Sequence, residues 1–210
     1  MQSYAEFLDL SVGFPQDGYQ VIDDELYFHE LNLMEMIETY GTPLRFTYLP
    51  IISKKIQEAK LLFQTAIVKN NYRGGYKYCY CTKSSHFSFV LHEALKNDIH
   101  LETSSAYDIP IIRSLLNDKK IDKSIYIICN GFKRPQYIDG IAGLINDGFE
   151  NVIPILDNKN ELANYEKKIK GRKKVKVGIR IAAEEEPNFE FYTSRLGIRY
   201  DEIVDYYRDH

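Results

Sequence analysis

A lysine that closes a run of apolar and small residues is the side chain in this sequence best suited to covalent chemistry. In Tyr78-Cys79-Tyr80-Cys81-Thr82-Lys83-Ser84-Ser85, extended backbone places alternate residues on opposite faces. Cys79, Cys81 and Lys83 then share one face, and Tyr78, Tyr80 and Thr82 share the other. An amine held at the end of a buried strand is costly to keep charged, and a neutral amine attacks an aldehyde. An isolated strand-end lysine more often extends its ammonium into water, so other strand ends must agree before Lys83 is singled out. In Val175–Ile181, parity sets Gly178 and Arg180 opposite the apolar residues. In Ile99-His100-Leu101-Glu102, it sets Glu102 opposite the apolar pair. Asn130 and Asp157 close two further runs. Polar groups at the carboxyl ends of parallel strands are where a β/α barrel assembles its active site and where an open α/β sheet binds ligands.

The elements that would carry these ends recur. Apolar runs at Tyr76–Cys81, Ile99–Glu102, Ser124–Cys129, Val152–Leu156 and Val175–Ile181 start about 25 residues apart, the length of a strand with its crossover helix. Helix-period faces lie between them: Phe89, Leu91, Ala94 and Leu95 in one, and Ile138, Ile141, Ala142 and Ile145 in another, with Pro135 in a first turn. The pattern predicts an α/β fold around a parallel sheet, doubly wound or closed into a barrel. Ahead of it come an acidic leader from Asp17 to Glu30, a short helix over Leu33–Thr39, a Gly41-Thr42-Pro43 turn, a strand over Leu44–Tyr48 and a long helix over Ile51–Lys69. A complete eightfold barrel takes about 250 residues. The 210-residue chain has room for five units after Tyr76.

The net charge of −3 lacks the basic excess of a nucleic-acid surface. No apolar run reaches the roughly 20 residues of a membrane span. Met1 to Leu10 is polar and acidic, unlike a secretory signal. The three cysteines form no even disulfide framework. A reduced cytoplasmic protein is the expectation. Three signals point to ordinary structure: His86 and His92 are six apart, not the four of a metal pair; Cys79, Cys81 and Cys129 lack a zinc-like cluster; and Gly74-Gly75 lacks phosphate-loop spacing. No metal site is expected.

The order of motifs resembles the alanine-racemase-like (fold-type III) pyridoxal-phosphate decarboxylases, the group of ornithine, diaminopimelate and arginine decarboxylases. Gly41-Thr42-Pro43-Leu44 and Tyr80-Cys81-Thr82-Lys83-Ser84-Ser85 are similar to the family pair YGTPL and YAVKAN. Leu101-Glu102-Thr103-Ser104-Ser105 stands where the family has FDxAS, and Ile128-Cys129-Asn130-Gly131-Phe132-Lys133 where it has xxNPxK. Asp157 with Glu161-Leu162 resembles DSxxEL, Gly178-Ile179-Arg180-Ile181 resembles LRI, and Ser194-Arg195-Leu196-Gly197 resembles SKFG. The likeness runs from about Leu31 to Tyr200 and is closest to an arginine decarboxylase branch.

The resemblance implies a partial (β/α)8 barrel of about five of eight units over 49–210. Segment 1–48 would contribute a helix and one strand of a second β-domain. It implies pyridoxal 5'-phosphate as cofactor and Lys83 as the catalytic, Schiff-base lysine. Cys81 would fill the small position beside the cofactor, Glu102 would replace an aspartate near it, and Arg180 would help fix the site. Arginine would give agmatine, as in polyamine biosynthesis. The whole enzyme would be a homodimer or higher homo-oligomer, and this chain, an N-terminal portion, would be inactive alone. The family's ring-stacking histidine, glycine-rich phosphate loop and acidic pyridine partner fall on later strands. Rival expectations are a non-catalytic cofactor-binding homologue of the same fold, or an open α/β domain that binds a nucleotide or protein. Glu184, Glu185 and Glu186 either lend negative field to a cationic substrate or form a solvated loop ended by Pro187.

Overall fold

The computed structural model describes residues 18–171, 174–182 and 197–209. They divide into two compact units, one reaching Thr47 and one starting at Tyr48.

In the first unit, β1 (Tyr19–Ile22), β2 (Glu25–Phe28) and β3 (Leu31–Asn32) form an antiparallel sheet in that order. The sequence reads as an acidic leader here, but Asp23 and Asp24 both take positive φ, 51° and 62°. Two such residues make the type I′ turn whose twist suits a two-residue hairpin, and aspartate tolerates it better than most side chains. Ring contacts between Tyr19 and Phe28 (4.8 Å) and between Phe28 and Phe46 (5.6 Å) give the sheet its apolar side. Helix α1 (Leu33–Tyr40) starts where the Asn32 side chain accepts from the Met34 and Glu35 amides, at 2.9 and 3.2 Å. The strand expected over Leu44–Tyr48 does not form. Those residues pair with no strand among the described residues, and the extended structure of this unit lies in the hairpin instead.

In the second unit, α2 (Pro50–Lys69) precedes five repeats. These are β4 (Cys79–Cys81) with α3 (Ser88–Leu95), β5 (His100–Thr103) with α4 (Asp108–Asn117), β6 (Tyr126–Cys129) with α5 (Pro135–Asn146), β7 (Asn151–Leu156) with α6 (Glu161–Lys168), and β8 (Gly178–Ile179) with α7 (Tyr200–Asp209). All four strand pairings are parallel, and the spatial order follows the chain order. A doubly wound sheet reverses direction at a switch point. No reversal occurs here, so the crossovers gather on one face, as in a barrel wall.

Burial alternates accordingly. Leu101 and Thr103, Ile127 and Cys129, and Val152 and Leu156 are buried, while His100, Glu102, Tyr126, Ile128, Ile153 and Ile155 between them are only half-buried. The first set packs on Leu91, Ile109, Ile112, Ile138, Ile141, Leu144 and Tyr165 of the helices. Burying each large apolar side chain contributes about 1.5–3 kcal/mol, so this layer dominates stability. The other face curls inward: Lys77 before β4 and Lys176 before β8 both lie over the Tyr126 ring on β6, at 4.3 and 5.9 Å from its centroid. Side chains from both outer strands thus reach the middle one.

Helix α2 is pinned by polar contacts. Ser53 donates to Glu93 (2.6 Å), Asn97 to Ser53 (2.8 Å), and Gln57 to Asn97 (2.9 Å). Ile56 seats against Ala94 and Ile99 beside them.

Candidate active site

The site is built from the loops that leave the carboxyl ends of the strands. After β4, Thr82 is fully buried; its amide and its hydroxyl both donate to the Glu102 carbonyl, each at 3.0 Å. That double anchor ties the end of β4 to β5 with Thr82 on the helix side. Cys81, two positions from Lys83, stays on the inner side. The Tyr80 hydroxyl donates to the Ser85 carbonyl (3.0 Å) and Ser84 to the Cys81 carbonyl (2.7 Å), which fold the segment after Lys83 back on the strand.

On the inner face, Cys81 Sγ donates to Glu102 Oε1 at 3.7 Å, and Asn130 Nδ2 donates to the same oxygen at 3.3 Å. The strand ends of β4, β5 and β6 therefore converge on one carboxylate. Burial, then the Glu102 charge, pushes the Cys81 thiol up, and the nearby Lys83 ammonium pulls weakly the other way. Lys83 itself is exposed, and its ammonium has no hydrogen bond or ion pair among the described residues. The desolvated amine expected from the sequence is not what the structure holds. β4 is an outer strand of the sheet, and Lys83 lies beyond its last paired residue, Cys81.

A second group sits at the ends of β6, β7 and β8. Lys133 has a fully buried side chain, and its Nζ donates to the carbonyls of Gly131 and Ile155, both at 2.6 Å. Asp157 lies 3.8 Å and Glu161 3.9 Å from that nitrogen. Burial pushes the Lys133 ammonium down and the two carboxylates push it up, with a net downward shift. Burial also raises Glu161, which accepts from the Asp157 amide (3.1 Å) and from Asn158 (3.0 Å). Arg180 Nη1 stands 3.7 Å from Asp157 Oδ1. The strand-end residues thus fall into two clusters, Cys81–Glu102–Asn130 and Lys133–Asp157–Glu161–Arg180. No described contact joins Lys83 to Arg180.

Lys133 is the residue that reasoning from the sequence left without a role. Its signal was present in the motif, but periodicity gives no reason to bury a lysine two residues into a loop. Cys129 is a core residue, its thiol pushed up to about 12 by burial. All three cysteines are free.

Gly131 stands where the resembled pattern has proline. Its φ of 78° is closed to the proline of the family pattern, whose ring fixes φ near about −65°. A Cβ there would lie 2.6 Å from the Ser104 carbonyl oxygen. The loops after β5 and β6 touch backbone to backbone, and Asp108 shapes the first by accepting from the amides of Ser104 (2.8 Å) and Ser105 (2.9 Å). Gly131→Ala is expected to destabilise the chain by more than about 1 kcal/mol, read as a lower urea midpoint. An unchanged midpoint contradicts the close approach.

A cavity of about 500 Å³ is lined by Leu162, Tyr165, Val177, Ile179 and Tyr206. Among the described residues, no group of His, Cys, Asp or Glu could hold a metal ion, and no helix is long and apolar enough to cross a membrane. Glu184, Glu185, Glu186 and Ser194-Arg195-Leu196 lie outside the described residues.

No family model matches the chain. It is 27% identical to the biosynthetic arginine decarboxylase of Prochlorococcus marinus (strain MIT 9303) over 118 residues, which cover 52% of this chain and 18% of that relative. The structure is similar to a diaminopimelate decarboxylase from M. jannaschii solved in complex with L-lysine. The TM-score is 0.70 and the identity 16%, over 92% of this chain and 44% of that one. The fold is therefore the one that diaminopimelate decarboxylase shows, over less than half of its length.

Proposed function

We propose that this chain supplies the lysine-bearing part of a pyridoxal-phosphate-dependent carboxy-lyase for a basic amino acid, arginine ahead of ornithine or diaminopimelate, with agmatine as product. One observation carries the reading: Lys83 lies two residues past the strand whose inner face holds Cys81 against Glu102, at the carboxyl rim of a barrel-type parallel sheet. The partial match to an arginine decarboxylase favours arginine. The reading extends to residues 1–48 as an attached segment and 49–210 as the barrel portion of a cytoplasmic, homo-oligomeric enzyme.

The donor set suits such a cofactor. A primary amine is the group that holds an aldehyde, and Lys83 offers one unencumbered by hydrogen bonds among the described residues. Cys81 beside it is small, Glu102 and Asn130 offer a carboxylate and an amide, and Arg180 presents a cation on the same rim. When bound, the cofactor supplies an electron sink for the pair freed as the α-carboxylate leaves as CO₂. The protein's part is positional. Lys83 would hold the ring by its amine, Cys81 would allow close approach, and Glu102, fixed by Asn130 and Cys81, would keep a negative charge near the reacting nitrogen. A negative field also favours a cationic substrate.

The test is chemical. The purified chain is incubated with pyridoxal phosphate, reduced with borohydride and digested. The phosphopyridoxyl group is expected on Lys83 above every other lysine, with Lys83→Ala abolishing the preference. Cofactor binding by this chain is expected to be weak and CO₂ release absent. Even labelling across exposed lysines such as Lys55 and Lys159 sinks the reading. The exposure of Lys83 favours a second reading, a cofactor-binding homologue without turnover. Labelling at Lys83 without CO₂ release from the intact protein selects it.

A further inference from the structure

We infer that Asp157 is a positioning residue for Arg180, and that Lys133 is the fixed counter-charge that faces Asp157 from the other side. The inference rests on the reading of Arg180 as a site residue only for its purpose, not for its geometry.

The geometry is specific. Asp157 has a side chain 1% exposed, yet neither carboxylate oxygen takes a hydrogen bond among the described residues. A buried carboxylate without hydrogen bonds is expensive unless opposite charge stands close. Two cations do: Lys133 Nζ at 3.8 Å from Oδ2 and Arg180 Nη1 at 3.7 Å from Oδ1, one on each oxygen. The neighbouring Glu161 is held differently. Its oxygens are taken by the Asp157 amide and the Asn158 side chain, so it is a loop-shaping group rather than a partner of Arg180. Lys133 is itself anchored, its two bonds to carbonyls at 2.6 Å tying the ends of β6 and β7. A buried, anchored ammonium thus fixes Asp157, and Asp157 attracts the guanidinium of the next strand.

The contact is an ion pair at a distance rather than a fork of short hydrogen bonds. Arg180 has a side chain 42% exposed and makes no hydrogen bond through its guanidinium among the described residues. Its direction is biased while its N–H donors stay available to a bound anionic group. A bidentate carboxylate contact would have consumed two of those donors.

Phenylglyoxal modification of arginine, mapped by mass spectrometry on the full 210-residue chain without cofactor, tests this independently of the proposed reaction. Arg180 is expected to react about threefold faster or more in Asp157→Asn than in the unaltered chain, the size of a partly exposed ion pair. Arg113, paired with Asp147 at 2.7 Å elsewhere on the surface, is the internal control and keeps its rate. Glu161→Gln perturbs the same buried cluster without facing Arg180 and should leave the Arg180 rate unchanged. If Asp157→Asn does not fold, the double variant Asp157→Asn/Lys133→Met removes the opposed charges together and carries the same expectation. An unchanged Arg180 rate in the folded variant overturns the inference. So does an equal rise with Glu161→Gln, which would mean general loosening.

Discussion

Lys133→Met is expected to lower the unfolding free energy of the chain by about 3–5 kcal/mol, the usual consequence of removing one member of a buried charge cluster. Methionine fills nearly the same volume, so the loss is not one of packing. Two carbonyls, of Gly131 and Ile155, lose their donor, and Asp157 is left facing only the partly exposed Arg180 with the buried Glu161 beside it. Urea titration measures it as a fall in midpoint at constant slope. The double variant Asp157→Asn/Lys133→Met should recover part of the loss, because it removes the stranded charge as well. A fall below about 1 kcal/mol in the single variant, the range of solvated pairs, would show that water reaches the cluster.

Tyr137→Ala is expected to cost a similar amount, about 3–5 kcal/mol, for a different reason. Tyr137 is 1% exposed in α5, and its ring stands in the layer between that helix and the sheet. Truncation leaves a cavity that close-packed neighbours on β5 and β6 cannot fill. Its hydroxyl lies 2.8 Å from the fully buried Thr103 Oγ1, and burial holds the phenol well above its ordinary range. Tyr137→Phe should therefore cost only about 1–2 kcal/mol, for the Thr103 hydroxyl left without its partner. Thermal midpoints separate the two, at about 2–4 °C per kcal/mol for a chain of this size. Equal shifts for Ala and Phe would mean that the hydrogen bond, not the ring, does the stabilising.

Much of the second unit was legible because its signals are periodic. Alternation through β5 to β7 marked which residues face the helices, and the spacing of apolar runs marked the repeat. Parity on β8 separated Arg180 from Ile179, as the structure does. The runs were longer than the strands: from Tyr76–Cys81, only Cys79–Cys81 pair, because Tyr76 stacks instead on Phe63 of α2 with ring centroids 4.1 Å apart. Two features could not be read. The β1–β2 hairpin turns on Asp23-Asp24 without a glycine, and acidic residues in a short segment look like solvated coil. The exposure of Lys83 depends on what covers the inner face of β4, a tertiary fact that residue types near Lys83 do not encode. At the candidate site, Glu102 and Asn130 were legible as strand ends, but their meeting on one oxygen follows from register. The cluster around Lys133 needed both register and a loop that turns back toward the sheet.

Because spatial order equals chain order, each described strand of this sheet pairs only with its immediate predecessor and successor. β6, hydrogen-bonded on both sides by ladders of three or four residues, cannot part from the sheet without two ruptures. β8 pairs with β7 through two residues, and β4 with β5 through three. Local opening, read by amide hydrogen exchange, is therefore expected at the Arg180 end before the Lys83 end, and at both before the centre. The lysine and the arginine ride on the least secure timbers of the frame, so whatever bridges them would tighten the sheet as it binds.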